Sequence, residues 1–377
     1  MTDTNTELII SPEESQRISI LKVWLSIMIV FIHSNVNNVN FVGGKVYFDD
    51  PEWLTTIKYL VSEILSRSAV PAFFFLSAYF LYRKSFTWKQ NVLKKVYSLL
   101  VPYFILNLAW IVIFFLAQTF PFTSSFFPNP QNIVANWGLT EWAAHIFGSP
   151  SNSYPMVYPL WFLRDLFILN LLSPVYEWFV RKTGTISLIF FILLWLLLKS
   201  THIFFLDIQG VCFWGIGCWF AIKRINVSSL DKYKLPLIFI YPGLVVAVCL
   251  LHTSSGLLFD ILYRICIPAG MVFWYVWSTN IKNERCKKLL LFISGYSFGI
   301  YLFHEMNLSI LRKLLAKLLP QTPALALIMY FVIPFVIIVF CVVLCCVLER
   351  FTPRLYTIIT GGRKQYAVLT SNKSKKA

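Results

Sequence analysis

Charged residues are scarce in this sequence. Asp, Glu, Lys and Arg supply 13% of its 377 residues, where an average soluble chain carries roughly a quarter. The 58% that are apolar are more than a water-soluble fold can hide, so a soluble protein is excluded. Paired cysteines are missing as well. The eight cysteines lie mostly inside apolar runs and show no CxxC spacing, which excludes a disulfide framework or a zinc site and leaves them as small apolar fillers. No small-residue cleavage site follows the first apolar segment, so that segment is expected to stay as the first helix rather than leave as a signal peptide. No internal repeat of the kind transporters carry is visible.

What is present is a succession of apolar runs, at 18–36, 57–82, 96–120, 158–178, 184–200, 203–222, 235–252, 258–280, 289–308 and 323–348, in a chain whose mean hydropathy is +0.68. At roughly 20 residues per span they account for about ten membrane crossings. The expected fold is all-α: one polytopic transmembrane helical bundle over 17–349, with a cytoplasmic N-terminal tail, 1–16, and a basic cytoplasmic C-terminal tail, 350–377. Orientation follows from the basic residues. With both termini inside, 23 of the 33 fall in cytoplasmic segments, and only Lys45, Lys58, Lys199, Arg312, Lys313 and Lys317 fall outside, as the positive-inside tendency requires. The net charge of +16 thus reports topology and contact with anionic lipids, and nucleic acid is not expected as a partner. The longest outside segment, 121–157, is rich in Pro, Asn and Ser and reads as an ordered loop or short re-entrant piece over the outer mouth.

Four basic residues remain inside spans: Lys22, Arg67, Arg164 and Arg264. Each costs about 2.5–3.5 kcal/mol to insert at a helix centre, so each needs a partner or a task. Lys22 and His33 are eleven residues apart, which places them within about 20° around the helix axis and about 16 Å apart along it. Ser26 shares their stripe. Read structurally, Lys22 snorkels to the interface and His33 is an interfacial histidine; read functionally, both serve a site. Arg67, four residues before Pro71, suits an electrophile or anion-binding group, or else a structural ion pair with Asp165. Arg164 and Asp165 are adjacent, and Asp207, Asp260, Arg264 and Glu305 occupy similar depths on other spans, which predicts a polar cluster in the outer half or a bundle-stabilising charge network. In the ninth run Ser294, Ser297, Tyr301 and His304 fall on one face of a continuous helix. Gly295 to Gly299 spell GxSxG, but without the strand–turn–helix context of a nucleophile elbow the match carries no serine-hydrolase meaning.

Taken together these motifs resemble acyltransferase family 3, integral membrane enzymes that acylate carbohydrates. The resemblance runs from about Arg17 to Glu349. It rests on Lys22 with His33 in the first helix, on VPAFFFLSAYFL, on WFLRDLFILNLLSP beginning at Trp161, and on SGYSFGIYLFHE. Two positions depart from the pattern: Lys22 stands where the family usually has Arg, and Ala78 follows Ser77 where it usually has Gly.

The resemblance implies an acyl-coenzyme A donor, acetyl before succinyl, acting as a substrate rather than a resident cofactor. It implies a sugar hydroxyl as acceptor, in a cell-surface polysaccharide or lipid-linked glycan, and a place in the bacterial inner membrane. A sugar hydroxyl needs a base that titrates near neutrality, and His33 is the natural candidate. Glu305 would orient it, Arg67 would stabilise the thioester oxyanion, and His304 is a second candidate base or a donor to the sugar. Lys22, Ser26, Arg164, Asp165, Trp161, Tyr301 and Arg264 are the expected substrate-binding residues. The competing readings are a transporter or flippase for a lipid-linked sugar, and a non-enzymatic membrane sensor.

Overall fold

Each apolar run overlaps helix in the computed structural model, which describes residues 11–148, 154–198, 201–203, 206–253, 256–278 and 281–363. Residues 1–10, Lys199 and 364–377, which enter the expected tails and charge count, lie outside the described residues. Among the described residues, six segments are long and apolar enough to cross a membrane: Pro12–Ser34, Glu52–Tyr82, Trp88–Thr119, Val227–Leu251, Leu257–Trp277 and Pro323–Phe351. Two bent pairs, Ser173–Thr183 with Thr185–Leu197 and Glu284–Gly295 with Ser297–Leu318, raise the number to eight if each is one span. The expected ten is not reached. The fourth and fifth runs share a bent pair that also needs Trp161–Leu171, and the sixth, Ile208–Ile222, has only 15 residues.

The membrane assignment is visible in single helices. On Ile333–Phe351, Ile337, Ile338, Cys341 and Cys345 are buried, while Val336, Val339, Phe340, Val343 and Val347 are exposed. Both faces are apolar. A soluble helix would carry charge on its outer face, so lipid is the solvent there.

The chain divides into two compact units. The first comprises residues up to Ile29, Tyr59–Lys95 and Asp165–Ser294. Its core joins Ile18, Leu21 and Leu25 of the first helix to Ala69, Ala72, Leu76 and Tyr79, and to Ala221 and Tyr275. Ala69–Tyr82 and Ile208–Ile222 approach so closely that a Cβ on Gly217 would lie 2.4 Å from the carbonyl oxygen of Phe75, a spacing only glycine permits. Gly184, at φ +59°, turns the chain through 118° between Ser173–Thr183 and Thr185–Leu197. Its carbonyl accepts from the Ser187 hydroxyl at 2.6 Å and from the Trp219 indole at 3.1 Å. Arg17, counted as a cytoplasmic surface charge, is buried: it pairs with Asp231, donates to the Tyr275 carbonyl and stacks on that ring. Such a cation ties the first helix to Asp231 and to the Tyr275 carbonyl.

The second unit comprises Val30–Lys58, Val96–Arg164 and residues from Gly295 onward. Phe31 packs edge-on against Tyr330 and Phe335. Gly299 faces Cys345, whose Sγ would lie 2.2 Å from an added Cβ, so Ser297–Leu318 and Ile333–Phe351 touch backbone to side chain. After the first helix comes an antiparallel hairpin, Asn38–Phe41 with Gly44–Tyr47, turned by Gly43 at φ +93°. Its Val42 amide donates to Ser125, and Phe41 meets Phe126. Lys58 anchors the strap that follows, donating to Asp50 at 2.6 Å and to the Val36 carbonyl at 3.2 Å. Residues 121–148 carry two short helices, Pro121–Ser124 and Leu139–Phe147, and single 3-10 turns; residues 149–153 of the expected outer loop lie outside the described residues.

Candidate active site

Two histidines 271 positions apart meet in the second unit. His33 stands in the last turn of Pro12–Ser34, and His304 in the middle of Ser297–Leu318; their ring centroids are 5.1 Å apart. His304 is wholly buried. Its Nδ1 lies 3.0 Å from the Ile300 carbonyl and 2.8 Å from that of Tyr301. Two acceptors at one nitrogen place a proton on Nδ1, which in the neutral ring leaves Nε2 as the acceptor. That Nε2 has no hydrogen-bond partner among the described residues. His33, by contrast, is only half-buried, and its ring meets that of Tyr158 at 78° with the centroids 5.6 Å apart.

The backbone of His33 is held as well. A helix leaves its last carbonyls without partners, and the carbonyl of His33 is taken by the guanidinium of Arg312 at 2.8 Å. A cation at a helix C-terminus also suits the helix dipole. Arg312 donates in addition to Ser309, at 3.3 Å, and Ser309 donates to Glu305 at 3.1 Å. Glu305, Ser309 and Arg312, at i, i+4 and i+7, form one face of the helix. The second Glu305 oxygen is buried and without a partner among the described residues. Tyr301, on the same helix, donates to the Pro159 carbonyl at 2.6 Å.

Other candidates are placed as follows. Ser26 donates its hydroxyl to the carbonyl of Lys22 at 2.8 Å, within their own helix. Arg67 pairs with Glu63, Nε to Oε2 at 3.0 Å, and Asp165 accepts from the amide of Asp207 at 2.9 Å. Asp207 in turn caps Ile208–Ile222 through Gln209. The guanidinium of Arg264 bonds the Trp195 carbonyl and lies over its ring, while the Trp195 indole donates back at 2.8 Å. The neighbours Arg164 and Asp165 face different tasks, because Arg164 donates to the Phe147 carbonyl at 2.7 Å. Trp161 is buried beside Tyr154, 6.3 Å between centroids. Lys22, Ser26, Arg67, Asp165 and Arg264 belong to the first unit, and His33, Trp161, Arg164, Tyr301, His304 and Glu305 to the second.

The ninth run also differs from expectation. It is not continuous: Glu284–Gly295 ends and Ser297–Leu318 begins anew, so Ser294 is not on the helix that carries Ser297, Tyr301 and His304. No strand precedes Ser297 here, and the nucleophile-elbow context is absent. The helix also runs ten residues past the expected end at 308, and Arg312, assigned to an outside loop, is buried on it.

The family described as an acyltransferase domain, acyltransferase family 3, matches residues 16–350. The chain belongs to that family. Among curated proteins, this acyltransferase-family chain is 26% identical over 359 residues to the succinoglycan biosynthesis protein ExoH of Rhizobium meliloti (strain 1021), covering 93% of this chain and 92% of the relative. No solved structure matches it. The family motifs fall on both units: VPAFFFLSAYFL lies on Ala69–Tyr82 of the first, and YLFHE on Ser297–Leu318 of the second.

Three groups escaped the sequence reading of this membrane acyltransferase. Glu63 was legible as the i−4 partner of Arg67. Arg312 was hidden by ending the ninth run at 308, since LRKLLAKLL reads as an amphipathic exit rather than as span. Tyr158 gave no signal, because nothing in a Pro-flanked loop announces a ring beside a residue 125 positions earlier.

Proposed function

We propose that this protein transfers an acyl group, acetyl first and succinyl second, from acyl-coenzyme A to a sugar hydroxyl of a cell-surface polysaccharide or lipid-linked glycan in the bacterial inner membrane. The observation that carries the reading is the half-buried imidazole of His33 set 5.1 Å, ring to ring, from His304, whose buried Nε2 has no hydrogen-bond partner among the described residues. In the proposed step His33 takes the proton of the sugar hydroxyl as its oxygen attacks the thioester carbonyl. The new C–O bond forms, the C–S bond breaks, and the coenzyme A thiolate leaves with the proton that His33 returns. His304 Nε2 receives an N–H of the imidazolium while the proton resides there. Glu305 acts through Ser309 and Arg312, which fix the helix end bearing His33. Lys22 and Arg67 are proposed donor-side groups, Lys22 as a point charge and Arg67 as a fork held by Glu63. The match to a succinoglycan biosynthesis protein supports a polysaccharide acceptor.

The test supplies purified protein in detergent with labelled acetyl- or succinyl-coenzyme A and deacylated succinoglycan oligosaccharide. Label should move to the sugar, with slow thioester hydrolysis when the acceptor is omitted. No turnover of either donor in an intact, monodisperse preparation would overturn the reading in favour of a flippase or sensor.

A further inference from the structure

The stretch from Tyr154 to Leu160 contains only one 3-10 turn, Tyr158–Leu160, yet it is fastened at successive points. The amide of Met156 donates to the His145 carbonyl at 2.7 Å. The amide of Val157 donates to Oδ1 of Asn107, a side chain with no exposed surface, at 3.2 Å. The Pro159 carbonyl accepts from Tyr301, and the Pro159 ring fixes φ beside Tyr158. Buried polar partners are spent here on holding a loop in one shape. What that shape presents is the ring of Tyr158, 39% exposed, with its neighbour Tyr154 at 4.5 Å and 51°, and the His33 imidazole at 5.6 Å.

A membrane-interface tyrosine needs no such fastening, and a core tyrosine would be covered. An amphipathic ring at a fixed distance from a base is suited to a ligand that is itself amphipathic. A pyranose fits that description, since its C–H face is apolar and its rim carries hydroxyls. We propose that Tyr158, backed by Tyr154, is the platform on which the acceptor pyranose lies, stacking the C–H face of the sugar and presenting one rim hydroxyl to His33. The inference rests on the reading of His33 as the base of a sugar acyltransferase.

The experiment measures initial rates of the full-length protein in detergent, at saturating acetyl-coenzyme A, across concentrations of deacylated succinoglycan oligosaccharide. Tyr158→Leu should raise the KM for the oligosaccharide about ten-fold, the size of losing one aromatic anchor, with the smaller change in kcat. Tyr158→Phe and Tyr158→Trp, which keep a ring, should stay within about two- to three-fold of wild type. Tyr154→Leu should raise the same KM by less, and it carries the test if Tyr158→Leu does not fold. The platform is overturned if acceptor KM is unmoved in both Leu variants, or if the ring-keeping variants lose as much as Leu. An intact KM effect at Tyr158 alongside an active His33→Gln would leave the platform standing and remove the base; no transfer by wild type would remove the function itself.

Discussion

Replacing Arg312 by Leu removes the group that holds the end of the first helix while leaving the His33 imidazole in place. Arg312 makes a 2.8 Å hydrogen bond to the His33 carbonyl and a longer one to Ser309, with its guanidinium buried. Leu fills much of the volume but donates nothing, so a partly buried helix-terminal carbonyl loses this donor, at a cost of up to about 1–3 kcal/mol. The same change removes a cation that faces the buried Glu305. Part of the cost falls on stability, and part is relieved by the helix end shifting to find another donor. A shift of about 1 Å at a catalytic group can cost about 10²-fold in rate. Arg312→Leu is therefore expected to lower kcat/KM about 10- to 100-fold, with a modest fall in melting temperature. Arg312→Lys, which can keep the bond to His33 but not the fork, should fall between. Initial-rate kinetics and fluorescence-detected melting in one detergent separate the two effects. If Arg312→Leu melts like wild type and keeps kcat/KM within about three-fold, the carbonyl contact has no part in positioning His33.

Further outcomes follow from the same contacts. Gly299→Ala places a Cβ 2.2 Å from Cys345 Sγ and should destabilise by about 1–3 kcal/mol; Cys345→Ala in the same chain should restore most of the melting temperature, and no rescue would mean the two helices do not meet there. Arg67→Lys and Glu63→Gln should each reduce activity, because a planar fork becomes a point charge in one and loses its partner in the other; full activity of both at normal expression removes the fork-specific role. Reporter fusions after Lys95, Lys182 and Arg224 should all register as cytoplasmic, and an outside signal at any of them breaks the assigned topology.

How much of this was legible in the sequence differs by element. Helices were readable because lipid demands long apolar runs, and the runs at 57–82 and 323–348 sit within helical segments almost unchanged. Span number was less readable, because apolarity fixes neither bends nor breaks: Gly184 and Gly295 divide runs that hydropathy joins or separates arbitrarily. The hairpin at Asn38–Tyr47 was hidden in the polar SNVNNVN stretch, whose Asn residues signal turns rather than strands. Within the site, His33 and His304 were each legible as candidates from their helix faces. Their meeting was not, since pairing between distant helices is set by close approaches such as Gly299 on Cys345 that no periodicity encodes. Arg67 was legible as a charge needing a partner, and Glu63, one turn away, supplies one at 3.0 Å.

His33 as general base is the central claim, and its most direct test is the rate of acyl transfer by His33→Gln compared with His304→Gln in one detergent preparation. Loss of a positioned base costs about 10²–10⁴-fold, so His33→Gln should fall below detection in acyl transfer while inserting and melting like wild type. His304→Gln, whose amide oxygen still offers an acceptor, should retain measurable transfer. A His33→Gln protein within a few-fold of wild type, beside an inactive but folded His304→Gln, would contradict the account and move the base to the buried histidine.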